Sequence, residues 1–97
     1  MTKFTVELLV NNRFGVLSRI TGMYAKRCYN IDSLMVGATE DPAYSKMVIV
    51  SSGDEYMKKQ VVAQLEKLYD VKRIDLIEED RSLIFRDGIE YLERATA

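Results

Sequence analysis

The sequence predicts an α+β fold of the ferredoxin-like βαββαβ type, a four-stranded antiparallel sheet with two helices on one face. Three observations predict it. Hydrophobic periodicity alternates between two and about 3.6 residues in the order strand, helix, strand, strand, helix, strand. The two middle strands are separated only by Thr39-Glu40-Asp41-Pro42, so an antiparallel hairpin is their simplest arrangement. The 97 residues, 47% hydrophobic and 30% charged, suit one globular domain. That domain is expected over residues 1–77, with residues 78–97 as a C-terminal tail.

In the first strand, residues 3–10, Phe4, Val6, Leu8 and Val10 point one way and Thr5 and Glu7 the other, which gives one buried face. Asn11-Asn12-Arg13-Phe14-Gly15 is a turn, because Asn and Gly tolerate backbone angles that other residues avoid. From Val16 to Arg27 the apolar residues Val16, Leu17, Ile20, Met23 and Tyr24 fall at helical spacing. Ser18, Arg19, Lys26 and Arg27 lie mostly on the other side, as a solvated face or a partner surface. Tyr29-Asn30 closes this helix. Ile31 to Ala38 and Tyr44 to Ser51 are the hairpin strands, and Met47-Val48-Ile49-Val50 forms the centre of the second. Ser52 or Asp54 caps the next helix. In it Met57, Val61, Leu65 and Leu68 make the clearest apolar stripe of the chain, and Lys58 is assigned to the polar side. Asp70 to Ile77 is the last strand. In the tail, Phe85, Ile89 and Leu92 lie at helical spacing behind a candidate cap, Ser82. Gly88 weakens such a helix by about 1 kcal/mol relative to Ala.

Composition excludes several function classes. The chain has no His, so a Ser-His-Asp triad, a Cys-His pair and a His-ligated metal are ruled out by count. Its single cysteine, Cys28, forms neither an intrachain disulfide nor a cysteine metal cage. Fourteen basic against fifteen acidic residues leave a net charge of −1, a poor match to nucleic acid. The central strand Tyr44-Ser45-Lys46-Met47-Val48-Ile49-Val50 also lacks the glycine and stacked aromatics of an RNA-recognition sheet. No basic start precedes a long apolar run, and no stretch reaches the ~18 apolar residues of a membrane span. A cytoplasmic protein, without nucleic acid or membrane as partner, is expected.

The informative segment is Asn12-Arg13-Phe14-Gly15-Val16-Leu17-Ser18-Arg19, a turn and a glycine followed by a helix N-terminus directly after a buried strand. The first amides of a helix lack internal partners and carry partial positive charge, which suits a carboxylate. Gly15 lets a small ligand approach the backbone, and Asn12 offers both a donor and an acceptor. Turn-glycine-helix junctions are also common for purely structural reasons, and spacing alone does not separate the two readings.

The run Asn12-x-x-Gly15-Val16-Leu17-Ser18-Arg19-Ile20, followed by Arg27-x-Tyr29-Asn30-Ile31-x-Ser33-Leu34, resembles the small-molecule-binding ACT domain. More narrowly it resembles that of the small regulatory subunit of acetolactate synthase, also called acetohydroxyacid synthase. Val36-x-Ala38-Thr39-Glu40-Asp41-Pro42, Ser45-Lys46-Met47 and Gln64-Leu65-x-Lys67-Leu68-x-Asp70-Val71 support the narrower resemblance, which covers about residues 4–77. It implies a non-catalytic subunit that binds and activates a large catalytic subunit and confers feedback inhibition by a branched-chain amino acid, usually valine. It implies a homodimer joined through a sheet edge, with the effector at the junction. The contacts it implies are Asn12, Gly15, Val16 and Leu17 from one chain and Asn30 and Ile31 from its neighbour. No cofactor is assigned to this chain, since the thiamine diphosphate, Mg²⁺ and FAD of that reaction belong to the large subunit. The alternative is a free-standing amino-acid-sensing ACT module that regulates another enzyme or a transcription factor. Longer members of the family carry a further C-terminal domain. The family usually has Gly where this chain has Cys28, so a positive φ there would strain the cysteine.

Overall fold

The computed structural model describes residues 2–78; the helical stripe expected in the tail, from Ser82 to Leu92, lies outside the described residues. The elements are β1 (Thr2–Asn11), α1 (Val16–Lys26), β2 (Ser33–Ala38), β3 (Tyr44–Gly53), α2 (Glu55–Glu66) and β4 (Val71–Ile77). They form one antiparallel sheet in the order β2-β3-β1-β4, so β1 and β3 are central and β2 and β4 are edges. This is the βαββαβ arrangement that the periodicity predicts. β2 starts two residues later than expected, although the Asp32 amide still donates to the Val50 carbonyl at 2.8 Å.

The core lies between the sheet and the two helices. Phe4, Val6, Leu8 and Val10 of β1 and Met47 and Ile49 of β3 meet Val16, Ile20 and Tyr24 of α1 and Val61 and Leu65 of α2. Met57 and Leu68 complete the α2 stripe as partly buried residues. Asp54 is the cap of α2, accepting from the Met57 amide at 2.8 Å. In β4, Val71 and Ile74 are three residues apart, yet both pack on the core. A register shift opposite Leu9 and Val10 leaves Lys72 as the extra residue and returns Val71 to the helix side.

Two side chains, Thr5 and Lys58, depart from the sequence pattern. Thr5 is buried, as are Val48 and Val50 on the same helix-free face, where the polarity of β1 predicted solvent. The run Met47-Val48-Ile49-Val50 is apolar on both sides, which marks a strand covered on both faces. Lys58, assigned to the polar side of α2, is 6% exposed. Its aliphatic stem packs inward while its ammonium donates to Glu55 at 2.6 Å and Glu78 at 2.7 Å. Those two bonds raise the Lys58 pKa. Tyr24 is fully buried and its hydroxyl has no hydrogen-bond partner among the described residues, and burial pushes its pKa up.

The end of α1 explains the strain anticipated at Cys28. The Tyr29 amide donates to the Tyr24 carbonyl at 2.8 Å and the Cys28 amide to the Ala25 carbonyl at 3.1 Å. These are the two bonds of a Schellman cap, with the Tyr24 and Tyr29 rings edge to face at 6.2 Å as its apolar contact. The cap requires a left-handed residue, and Cys28 has φ of 59°. Holding a side chain there costs roughly 1–2 kcal/mol, partly offset by the chain entropy a glycine would add. Cys28→Gly is expected to stabilise the fold by about 0.5–1 kcal/mol, read as a rise in Tm; a fall would mean that the side chain contributes packing here.

Candidate functional site

The β1–α1 turn is held from two sides. From the hairpin, the Asn12 amide donates to the Ala43 carbonyl at 2.8 Å and the Asn12 side-chain NH₂ to the Pro42 carbonyl at 3.1 Å. From the start of β4, Asp70 binds the turn and helix together. Its carboxylate accepts from the Asn11 side chain at 2.9 Å and pairs with Arg13 at 2.8 Å and Arg19 at 2.6 Å. Its backbone carbonyl takes the Asn11 amide at 2.9 Å. The Asp70 side chain is 1% exposed. The Asn11 amide, with the two guanidinium groups, holds its carboxyl below the ordinary value of 3.8 against the opposing effect of burial.

A depressed carboxylate pKa stabilises the folded state fully above its unfolded value, and that contribution is lost as pH falls through the folded value. The native chain is therefore expected to lose this part of its stability below about pH 3.8. Acid titration followed by circular dichroism should show a shallower acid response in Asp70→Asn than in the native chain. Parallel curves would mean that the cluster adds nothing to folding. The sequence pattern assigns Arg19 to a solvated or partner face and Asp70 only to the start of the last strand. The two residues are 51 positions apart, and no local pattern links them.

The turn delivers α1 with an open N-terminus. Gly15 is the N-cap, with φ of 85°, and offers no side-chain cap, while the first turn carries no acidic residue. The Val16 amide is already used, donating to the Arg13 carbonyl at 3.3 Å. The amides of Leu17 and Ser18 have no partner among the described residues. Of the two helix residues Val16 and Leu17 that the resemblance implies as contacts, only Leu17 thus has a free amide, and Ser18 supplies the next one.

Beside this N-terminus lies a cleft of about 220 Å³. Asn12, Val16 and Leu17 line it with Arg13, Val36 of β2, and Ser45 and Met47 of β3. Its walls are apolar toward the sheet and polar toward the turn. Since the Asn12 NH₂ is engaged by Pro42, its carbonyl oxygen is the group left to a ligand. A larger hollow on the helix-free face holds Glu7, Lys46, Arg73 and Asp75. There Lys46 approaches Glu7 at 3.9 Å and Arg73 meets Asp75 at 3.2 Å, so its charges balance and favour neither anion nor cation.

Asn30 and Ile31 are not at the cleft of their own chain. They follow α1, whose 11 residues put roughly 16 Å between its two ends. The Asn30 NH₂ donates to Asp32, and Ile31 packs partly against the core of its own chain. Among the described residues no acidic or cysteine group could hold a metal ion, and no helix is long and apolar enough to cross a membrane.

Residues 6–73 match the family model described as the AHAS small subunit-like ACT domain. The probable acetolactate synthase small subunit of Archaeoglobus fulgidus is 43% identical over 77 residues, 79% of this chain and 48% of that one. The acetolactate synthase isozyme 3 small subunit of Escherichia coli is 45% identical over 69 residues, 71% of this chain and 42% of that one. The crystal structure of the acetolactate synthase small subunit from Thermotoga maritima aligns with a TM-score of 0.73 at 33% identity, over 78% of this chain and 47% of that one. The chain spans about half the length of these relatives. The ACT domain of a GTP pyrophosphokinase from Chlorobium tepidum, 14% identical with a TM-score of 0.66, shares the fold. With the βαββαβ topology in place, the match over residues 6–73 and identities above 40% to named small subunits settle the family: this chain belongs to the acetolactate synthase (AHAS) small subunit-like ACT domains.

Proposed function

We propose that the chain is a non-catalytic regulatory subunit of acetolactate synthase, which binds and activates a large catalytic subunit and relays feedback inhibition by a branched-chain amino acid, with valine the expected effector. The observation that carries this reading is the cleft at the start of α1, lined by Leu17, Asn12 and an apolar wall, where the Leu17 amide is unpartnered and that of Ser18 follows it along the helix, while Gly15 caps the helix outside the lining. The amides suit a carboxylate. The Asn12 oxygen suits an ammonium, and Val16, Leu17, Val36 and Met47 suit a short aliphatic side chain.

The site is completed by a second copy. β2 is an edge strand, and on its helix side Leu34 and Val36 are 37% and 45% exposed beside Leu17 at 44%. The other edge, β4, carries exposed Lys72, Arg73 and Asp75 and a bulge, devices that discourage pairing. A two-fold axis perpendicular to the sheet pairs β2 with its copy antiparallel and makes an isologous interface. Val36, near the end of β2, lies in the cleft, so antiparallel pairing brings the start of the other β2 there. The partner subunit's Asn30 and the partner subunit's Ile31 lie three and two residues before that start. A ligand seated between two chains biases their arrangement, which is what an effector must do to act on a third protein.

The test is to add the purified chain to a large acetolactate synthase subunit and follow acetohydroxy acid formation with and without valine, leucine and isoleucine. Activation, reversed by one of the three, supports the proposal. An unchanged rate, with no copurification of the two subunits, overturns it.

A further inference from the structure

Asp32 lies two residues beyond Asn30, at the entry to β2. Its amide donates to the Val50 carbonyl at 2.8 Å, and its carboxylate accepts from the Ser52 hydroxyl, so β3 fixes it at both backbone and side chain. The other oxygen of the carboxylate accepts from the Asn30 side-chain NH₂. This bond sets the orientation of the Asn30 amide. A flipped amide would turn its carbonyl oxygen onto the carboxylate, acceptor against acceptor. Asn30 therefore presents an oxygen to anything that approaches it from outside the chain. Asn12 does the same, because Pro42 takes its NH₂. Both asparagines that face the proposed effector act as acceptors, and Asp32 adds a full negative charge behind one of them.

We propose that Asp32 determines the specificity of the site for a free α-ammonium group, so that it selects an amino acid over the hydroxy acid or oxo acid with the same side chain and carboxylate. The inference rests on the effector reading above, in which the partner subunit's Asn30 reaches the cleft. Asp32 does not touch the ligand. It is a positioning residue that locks the Asn30 oxygen outward and strengthens it electrostatically. An ammonium donates to two such oxygens with charge assistance, whereas a hydroxyl donates one neutral bond and an oxo group donates none.

The experiment is calorimetric titration of the full chain with valine and, separately, with the hydroxy acid in which OH replaces the ammonium of valine. The native chain is expected to prefer valine by roughly tenfold or more. Asp32→Ala is expected to lower valine affinity roughly tenfold and to leave hydroxy acid affinity within about twofold, so that the preference collapses. Asp32→Glu, which keeps the carboxylate, should restore most of it. Ser52→Ala, which frees the carboxylate without removing it, should lie between. Thermal melts and sedimentation verify that each variant stays folded and assembled. Equal weakening of both ligands, or unchanged valine affinity in Asp32→Ala, would overturn the role of Asp32 while leaving the effector site standing. A native chain that binds neither ligand would overturn the effector reading, and this inference with it.

Discussion

Gly15→Asp is expected to lower valine affinity about a hundredfold while leaving the chain folded. The substitution puts a carboxylate at the N-cap of α1, beside the Leu17 and Ser18 amides proposed to receive the carboxylate of the effector. Two like charges a few ångströms apart in a half-exposed cleft repel by roughly 2–3 kcal/mol, and each 1.4 kcal/mol is about tenfold in affinity. The new side chain also competes for the same amides. Folding should survive, because a Cβ at Gly15 meets nothing within 4 Å. The backbone φ of 85° is the remaining cost, and Asp is among the residues that tolerate this region best. Calorimetry on the native chain and the variant measures the effect. Equal affinities would place the ligand away from this helix end.

The second large effect is expected at the β2 edge. Leu34→Lys should convert the proposed homodimer to monomers at micromolar concentration and abolish valine binding in the same step. Leu34 is on the helix side of β2, opposite Ile49 of β3, and outside the set of residues that lines the cleft. A lysine there would have to lose water as the two edges pair, and the isologous interface meets it twice. Lysine on an exposed edge is also how natural sheets avoid pairing. A rise of at least roughly a hundredfold in the dimer dissociation constant follows from ~1.5 kcal/mol per copy. Sedimentation velocity gives the assembly state, and titration of the same sample gives the affinity. A variant that stays dimeric would locate the interface elsewhere, and a monomer that still binds valine tightly would show that one chain suffices for the site.

The two predictions draw on different kinds of information. Gly15 was legible in the sequence as the residue that opens α1, although spacing alone did not separate a purely structural turn from a ligand contact. Its left-handed φ and the missing side-chain cap agree with that reading. The free amides were located only approximately, since the bond from Val16 to the Arg13 carbonyl depends on how tightly the turn closes. Asn30 and Ile31 illustrate a different limit. The family resemblance links them to the effector, yet in a single chain they stand at the far end of α1. Only the position of β2 at the sheet edge makes a second copy the natural way to bring them to the cleft.

The Cys28 position combines both sources. The resemblance marked it as a place where glycine is usual, and the Schellman bonds around it give the physical reason. Thr5 and Lys58 went the other way. Each reads as polar and solvated in a one-dimensional pattern, and each is buried in the folded chain.

The order of the elements, the apolar faces of β1 and α2 and the turn that opens α1 were fixed locally, since periodicity and turn chemistry depend on residues within a few positions of one another. The clamp of Asp70 on Arg13 and Arg19, the grip of Asp32 on Asn30 and the bulge that turns Val71 back to the core became visible only when the chain closed on itself. The clamp and the bulge need strands and loops distant in sequence to be placed side by side. The Asp32 carboxylate, although only two residues from Asn30, is aimed by β3, whose Ser52 and Val50 lie about twenty residues further along the chain.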